Sequence, residues 1–202
     1  MECSAVMKLR CVAVTVKVSI LIACLSTGAL AQSSSWESPT WSHTFYAGVM
    51  TSNKVDKLAS EFDYAGNDLI GYALAYDRPM LGTKWSVGFE LQATFHFGEQ
   101  TYSEIGLPVT LRYRPEEPWF SWLEGFSFGL GMSHASEVPK VEVQTRGGSR
   151  RNLIYWMLEA EFKTRAPNTS WFTRIHHRSD AWGTLKPEGG SNAIVVGVRQ
   201  DF

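Results

Sequence analysis

Beyond residue 24 the chain has no cysteine: Cys3, Cys11 and Cys24 are the only three among its 202 residues. Cysteine-ligated zinc and cysteine nucleophiles are thereby excluded from the rest, which suits passage through an oxidising compartment without mispairing. Neither sign of charge is in excess, with 19 Lys and Arg against 20 Asp and Glu. No basic, aromatic-interleaved run occurs, so nucleic acid is not an expected partner. After residue 32 no apolar stretch approaches the ~18 residues of a transmembrane helix. No H-E-x-x-H is found, which leaves a zincin unsupported.

What is abundant is aromatic residues, eight Trp among them, and alternation of apolar with polar side chains. Before that patterning begins, residues 1–31 read as an export signal. Lys8 and Arg10 form its basic region, Cys11 to Leu25 its apolar run, and Ala29-Leu30-Ala31 its small-x-small cleavage pattern, giving a mature start at Gln32. Met7 is an alternative initiator. Leu21-Ile22-Ala23-Cys24 is an alternative lipoprotein signal with Cys24 acylated.

Residues 32–202 read as a single β-barrel domain. The clearest segment, Lys84–Phe97, sets Trp85, Val87, Phe89, Leu91, Ala93, Phe95 and Phe97 against Ser86, Gly88, Glu90, Gln92, Thr94 and His96. Such a run far exceeds the usual strand of about 5–6 residues and suits a tilted strand crossing a bilayer. Alternation also predicts strands at His43–Met50, Asn67–Tyr76, Ser103–Arg114, Gly125–Ser133, Asn152–Thr164, Ser170–Ser179 and Ser191–Phe202. An even number of antiparallel strands closes without an open edge.

Long connections near 53–66, 135–151 and 180–190 lie on one side, with the short 98–101 link. Short turns near 79–83, 115–121 and 165–169 lie on the other, with Pro79, Pro115, Pro118 and Pro167 in or beside them. Outer-membrane barrels carry long external loops and short periplasmic turns in this way. The expected fold is an all-β, eight-stranded antiparallel transmembrane barrel of a Gram-negative outer membrane. A soluble barrel of the lipocalin sort, with the apolar face inward, is the alternative. In the membrane version Glu90, Gln92, Glu104, Arg112, Arg114, Glu159, Glu161, Lys163, Arg174 and Arg178 fill the interior. Paired charges of this kind disfavour a diffusion channel.

His177 and Ser179 stand two apart on the seventh strand, hence on one face. That face also carries Trp171, Thr173 and Ile175, while Phe172, Arg174, His176 and Arg178 point inward. An imidazole beside a hydroxyl is the minimum pairing for nucleophilic catalysis. If the first strand starts at the periplasmic side, the pair lies near the outer rim facing lipid, where a membrane-lipid substrate arrives by lateral diffusion. His176 is expected to hydrogen-bond inside the lumen. The loop with Lys140, Arg146, Arg150 and Arg151 reads either as a solvated basic loop or as a contact for lipid phosphates.

His177-Arg178-Ser179-Asp180-Ala181, then Lys186-Pro187-Glu188-Gly189-Gly190-Ser191-Asn192 and a strand ending at Phe202, resembles the outer-membrane lipid A 3-O-deacylases (PagL type). Sharp similarity covers about 30 residues; elsewhere the match is architecture and length. The resemblance implies a serine hydrolase of carboxylic esters. It would remove the acyl chain at position 3 of lipid A in outer-leaflet lipopolysaccharide, without metal or cofactor, and a homodimer is left open. It makes Ser179 the nucleophile and His177 the general base. The acidic group that orients the histidine falls to Glu188, with Asn192 the alternative. Asp180 stands where the family has an Asn associated with oxyanion stabilisation, a contribution of about 3–4 kcal/mol. A non-enzymatic structural or adhesive barrel related to these esterases is the competing function. It carries its own expectation, that His177 and Ser179 lie too far apart to hydrogen-bond.

Overall fold

The computed structural model describes residues 38–202 other than 59, 81–83 and 118. The export signal, its cleavage after Ala31, the three cysteines and Pro118 fall outside these residues. Eight strands follow in chain order: β1 (Thr40–Thr51), β2 (Tyr64–Pro79), β3 (Trp85–Gly98), β4 (Tyr102–Tyr113), β5 (Leu123–Ala135), β6 (Asn152–Lys163), β7 (Thr169–Ser179) and β8 (Gly190–Asp201). Each pairs antiparallel with its neighbour, and β1 pairs with β8 from Ser42↔Asp201 to Thr51↔Asn192, which closes the barrel. All eight expected strands are present, several extended by a few residues at their ends.

Alternation decides which side chains enter the barrel. Along β3, Trp85, Val87, Phe89, Leu91 and Phe95 are exposed, while Ser86, Glu90, Gln92, Thr94 and His96 are buried. Around the ring Phe45, Ile70, Leu107, Val109, Leu130, Leu158 and Val196 continue the apolar exterior. Toward the short-turn rim it becomes aromatic. Trp41 meets Tyr76 at 5.0 Å, Trp85 meets Tyr113 at 4.8 Å, Phe120 meets Trp122 at 5.0 Å, and Phe162 meets Trp171 at 4.3 Å between ring centroids. Aromatic girdles of this kind belong at a membrane–water interface. A soluble barrel would have its apolar face inside, and the faces here are reversed.

The lumen is filled rather than open. Glu159 and Arg174 are cross-strand partners joined at 2.6 and 2.8 Å. Arg174 also reaches Glu90 at 3.1 Å, and Arg199 reaches Glu90 at 2.9 Å and Glu159 at 3.1 Å. Arg112 lies 3.2 Å from both Asp77 and Glu159. Glu161 accepts from Arg112, Arg114 and Arg199. Burying any one of these charges alone is costly; mutual pairing is what makes the interior tolerable. Arg199 and Asp77 were not among the expected interior charges. Lys163, which was, is exposed at the short-turn rim, because the lumen opens to solvent there.

Above the charged layer lies an apolar one of Tyr46, Met50, Leu69, Ala73, Phe172, Ala193 and Val195. Val141 joins it from α1 (Lys140–Arg146), a short helix within the long β5–β6 loop. Glu142 enters beside it, 3.3 Å from Arg178 Nε, and accepts hydrogen bonds from Ser191 Oγ at 2.8 Å and from Ser149 Oγ. Gly147 ends the helix at φ 81°, its N–H bonded to Val143 O, a left-handed cap that glycine adopts without strain. A Cβ at Gly148 would fall 2.7 Å from Glu188 O, so this loop and the β7–β8 loop are in close contact.

Burial holds the Glu142 carboxyl above its ordinary range, against the opposing pull of Arg178, Ser149 and Ser191. Glu104, also facing it, adds to the rise. A carboxyl raised in the folded state penalises docking once ionised, and the penalty fades as pH falls through the raised value toward the ordinary one. Amide exchange within Val141–Arg146, corrected for intrinsic rates, is therefore expected to slow over that acidic interval. Glu142→Gln should flatten the response. Identical pH profiles for the two proteins would refute this coupling.

Candidate active site at the long-loop end of β7

On β7, Phe172, Arg174, His176 and Arg178 are buried, while Trp171, Thr173, Ile175, His177 and Ser179 alternate outward. His177 is flanked by cross-strand partners, Trp156 of β6 and Asn192 of β8; Ser179 has Ile154 and Gly190. The Trp156 ring lies 4.5 Å from the imidazole, centroid to centroid. The pair thus sits at the top of an apolar wall, beside the long loops.

Asn192 is 1% exposed. Its Nδ2 donates to Asn53 O at 2.7 Å. A carbonyl only accepts, so the amide orientation follows: Oδ1 faces His177 Nδ1, 2.5 Å away, and Nδ1 must carry the hydrogen. In neutral His177 the other nitrogen, Nε2, then holds the free lone pair. This is the tautomer a general base requires.

Asn53 is held in its turn. Its Nδ2 donates to Asp63 Oδ2 at 3.0 Å, and its Oδ1 accepts from Thr51 Oγ1 at 2.8 Å and Asp63 N at 2.5 Å. The 52–63 loop, more than a hundred residues away in sequence, thereby fixes the protonation pattern of the histidine.

Glu188 does not contact His177. Its side chain is 62% exposed and pairs with Lys186. The position expected for Glu188 is occupied by Asn192, because β-sheet register sets Asn192 directly opposite His177. The Asp180 side chain is bound within its own loop. Its Oδ1 accepts from Gly183 N at 2.9 Å and its Oδ2 from Gly189 N at 3.1 Å. The carboxylate turns into the β7–β8 loop and ties its two ends together, an Asx-type arrangement. Ala181 and Trp182 between them take left-handed φ of 54° and 55°, and the Trp182 side chain is 101% exposed.

Ser179 Oγ accepts the N–H of Ala181 at 3.1 Å. Among the described residues no hydrogen bond joins it to His177. On the other face His176 is buried, with Nε2 3.3 Å from Glu104 Oε1 and Nδ1 3.3 Å from Tyr155 Oη. Glu104 also meets His96 at 3.0 Å. Among the described residues no three His, Cys, Asp or Glu side chains converge as metal ligands.

Asn53 carries no signal in the sequence that would have assigned it to this site, because it acts through a main-chain oxygen.

No family model matches the chain, and no curated protein does. Among solved structures it is similar to the crystal structure of the outer membrane enzyme PagL, at 12% identity and a TM-score of 0.55, over 79% of this chain and 98% of that one. It also aligns with Ail of Yersinia pestis in a phospholipid bilayer nanodisc, at 12% identity and a TM-score of 0.44, over 80% of this chain and 99% of that one. Ail in complex with the heparin analogue sucrose octasulfate gives 11%, 0.35, 81% and 97%. Identity this low speaks to the fold alone: the chain is a closed, eight-stranded antiparallel β-barrel of the architecture found in the outer membrane enzyme PagL.

Proposed function

We propose that this protein is an outer-membrane serine esterase that removes the ester-linked acyl chain at position 3 of lipid A. Residues 1–31 would be its export signal and residues 32–202 its barrel. The observation that carries the reading is the His177–Asn192–Asn53 chain, which leaves Nε2 unprotonated on the face that bears Ser179. A histidine with no task on a lipid-facing wall has no need of a fixed tautomer.

In the reaction, Ser179 Oγ attacks the acyl carbonyl while His177 Nε2 takes its proton. Nδ1–H stays on Asn192, which orients the imidazolium without carrying charge. Nε2 then protonates the departing sugar oxygen; water, deprotonated by the same nitrogen, attacks the acyl-enzyme, and Nε2 returns that proton to Ser179 Oγ as the fatty acid leaves. Rotation of the Ser179 side chain away from Ala181 N is required first, and unbound sites commonly tighten in this manner when substrate arrives.

The missing His177–Ser179 bond favours a second reading, a non-enzymatic surface barrel. Mass spectrometry of lipid A incubated with the purified protein separates the two. The esterase reading expects loss of one hydroxyacyl chain. Lipid A unchanged under conditions where an established deacylase works would overturn it.

A further inference from the structure

The two halves of an ester must leave Ser179 in different directions. Below the His177–Ser179 pair the exterior is apolar. Trp156 lies opposite His177, and Leu158 and Ile194 flank Ile175 in the next outward row. An acyl chain follows that wall toward the middle of the bilayer. The alcohol half, here a sugar ring, is then carried to the other side of Ser179, where the β7–β8 loop begins.

That loop sets one aromatic side chain there. Ser179 Oγ lies 3.1 Å from Ala181 N, and Trp182 follows, its Cα one step of about 3.8 Å beyond that of Ala181. The ring is covered by no protein: Trp182 is 101% exposed. Among the described residues it is the one tryptophan without an aromatic neighbour. Trp41, Trp85, Trp119, Trp122, Trp156 and Trp171 each have one. An indole left in water is stabilised by whatever covers it.

Its backbone is also unfavourable for this residue type. Thr184 N bonds to Ala181 O, closing a turn whose central residues, Trp182 and Gly183, have φ of 55° and 77°. Positive φ at both is the pattern that favours Asn-Gly, and a bulky side chain at the first of them strains the chain. The loop nevertheless holds that form. Asp180 binds Gly183 N and Gly189 N, Leu185 N bonds to Asp180 O, and Thr184 Oγ1 donates to Ala181 O at 2.7 Å. Breaches of local turn chemistry that the surroundings enforce cluster at functional sites. This one stands three residues from the nucleophile.

We propose that Trp182 is the sugar-stacking residue of this site, its indole covering one face of the ring that carries the scissile ester. A pyranose presents C–H groups of positive partial charge on its flat faces, and the face of an indole is negative. The proposal rests on the esterase reading and adds to it the recognition of the alcohol half. Trp182 positions substrate and takes no part in proton transfer.

The test compares two lauroyl esters in detergent micelles, 3-O-lauroyl-N-acetylglucosamine and the ring-free methyl laurate, with fatty-acid release by the full barrel as the readout. Trp182→Asn removes the ring with a residue that suits the turn, so the loop keeps its form. It is expected to raise KM for the sugar ester about tenfold with little change in kcat, and to leave methyl laurate turnover as in wild type. Trp182→Phe should recover part of the loss. An unchanged KM for the sugar ester in Trp182→Asn would overturn the proposal and leave the esterase standing. An equal loss on both esters would also overturn it, in favour of a ring that contacts micelle or membrane. Absence of wild-type turnover on both esters and on lipid A would remove the esterase reading and this proposal together.

Discussion

Ser179→Ala is expected to abolish ester turnover, with kcat falling by roughly 10⁴- to 10⁶-fold while the barrel remains folded. The hydroxyl is half-buried at the strand end, and among the described residues its one hydrogen bond is accepted from Ala181 N, so its loss costs about 1 kcal/mol of stability at most. Activity and folding should therefore separate cleanly in this variant. Folding is read by the heat-induced mobility shift of the barrel on gels, and turnover by release of free fatty acid. His177→Ala should match Ser179→Ala in rate, because nucleophile and base act as a unit and their losses do not add. A Ser179→Ala protein that keeps turnover within tenfold of wild type would mean that some other group, or bound water, attacks the ester.

Why the barrel was legible and the site only partly so has a physical reason. Strand identity is local: alternation along Lys84–Phe97 names both faces of β3 without reference to any other strand. The facing of His177 and Ser179 follows from the same rule, and both do point outward. Third partners are set instead by register, which depends on where each loop lets its strand begin. Glu188 and Asn192 are four residues apart, and whether the loop or the strand faces His177 could not be read from order in the chain. The pairing His177↔Asn192 decides it.

Asp180 illustrates a different limit. Compared with a family motif it has the wrong charge for an oxyanion donor. Its bonds to Gly183 N and Gly189 N give that charge another use. Helix α1 was missed because seven residues are too few to display a helical stripe. Its role depends on Val141 and Glu142 entering a lumen built by distant strands. Arg199 shares the inward row of β8 with Ser191, Ala193, Val195 and Gly197, whose small or apolar side chains do not signal a charged lumen.

Glu161→Ala is expected to destabilise the barrel by about 3–5 kcal/mol. Arg112, Arg114 and Arg199 all converge on this carboxylate, and the first and last are almost wholly buried. Its removal leaves those guanidinium groups facing one another across a lumen whose other acids, Asp77, Glu90 and Glu159, already serve Arg112, Arg174 and Arg199. The loss is thus dominated by uncompensated cations rather than by broken hydrogen bonds. That distinction can be measured. Replacing Glu161 and Arg199 together by Met restores the charge balance, and the double variant should unfold at a higher urea concentration than Glu161→Ala alone, despite carrying more changes. Refolding into detergent micelles followed by urea titration gives both values. A Glu161→Ala loss below about 1 kcal/mol would mean that water entering at the short-turn rim screens the network. The lumen would then be held together chiefly by the apolar layer and the α1 plug above it.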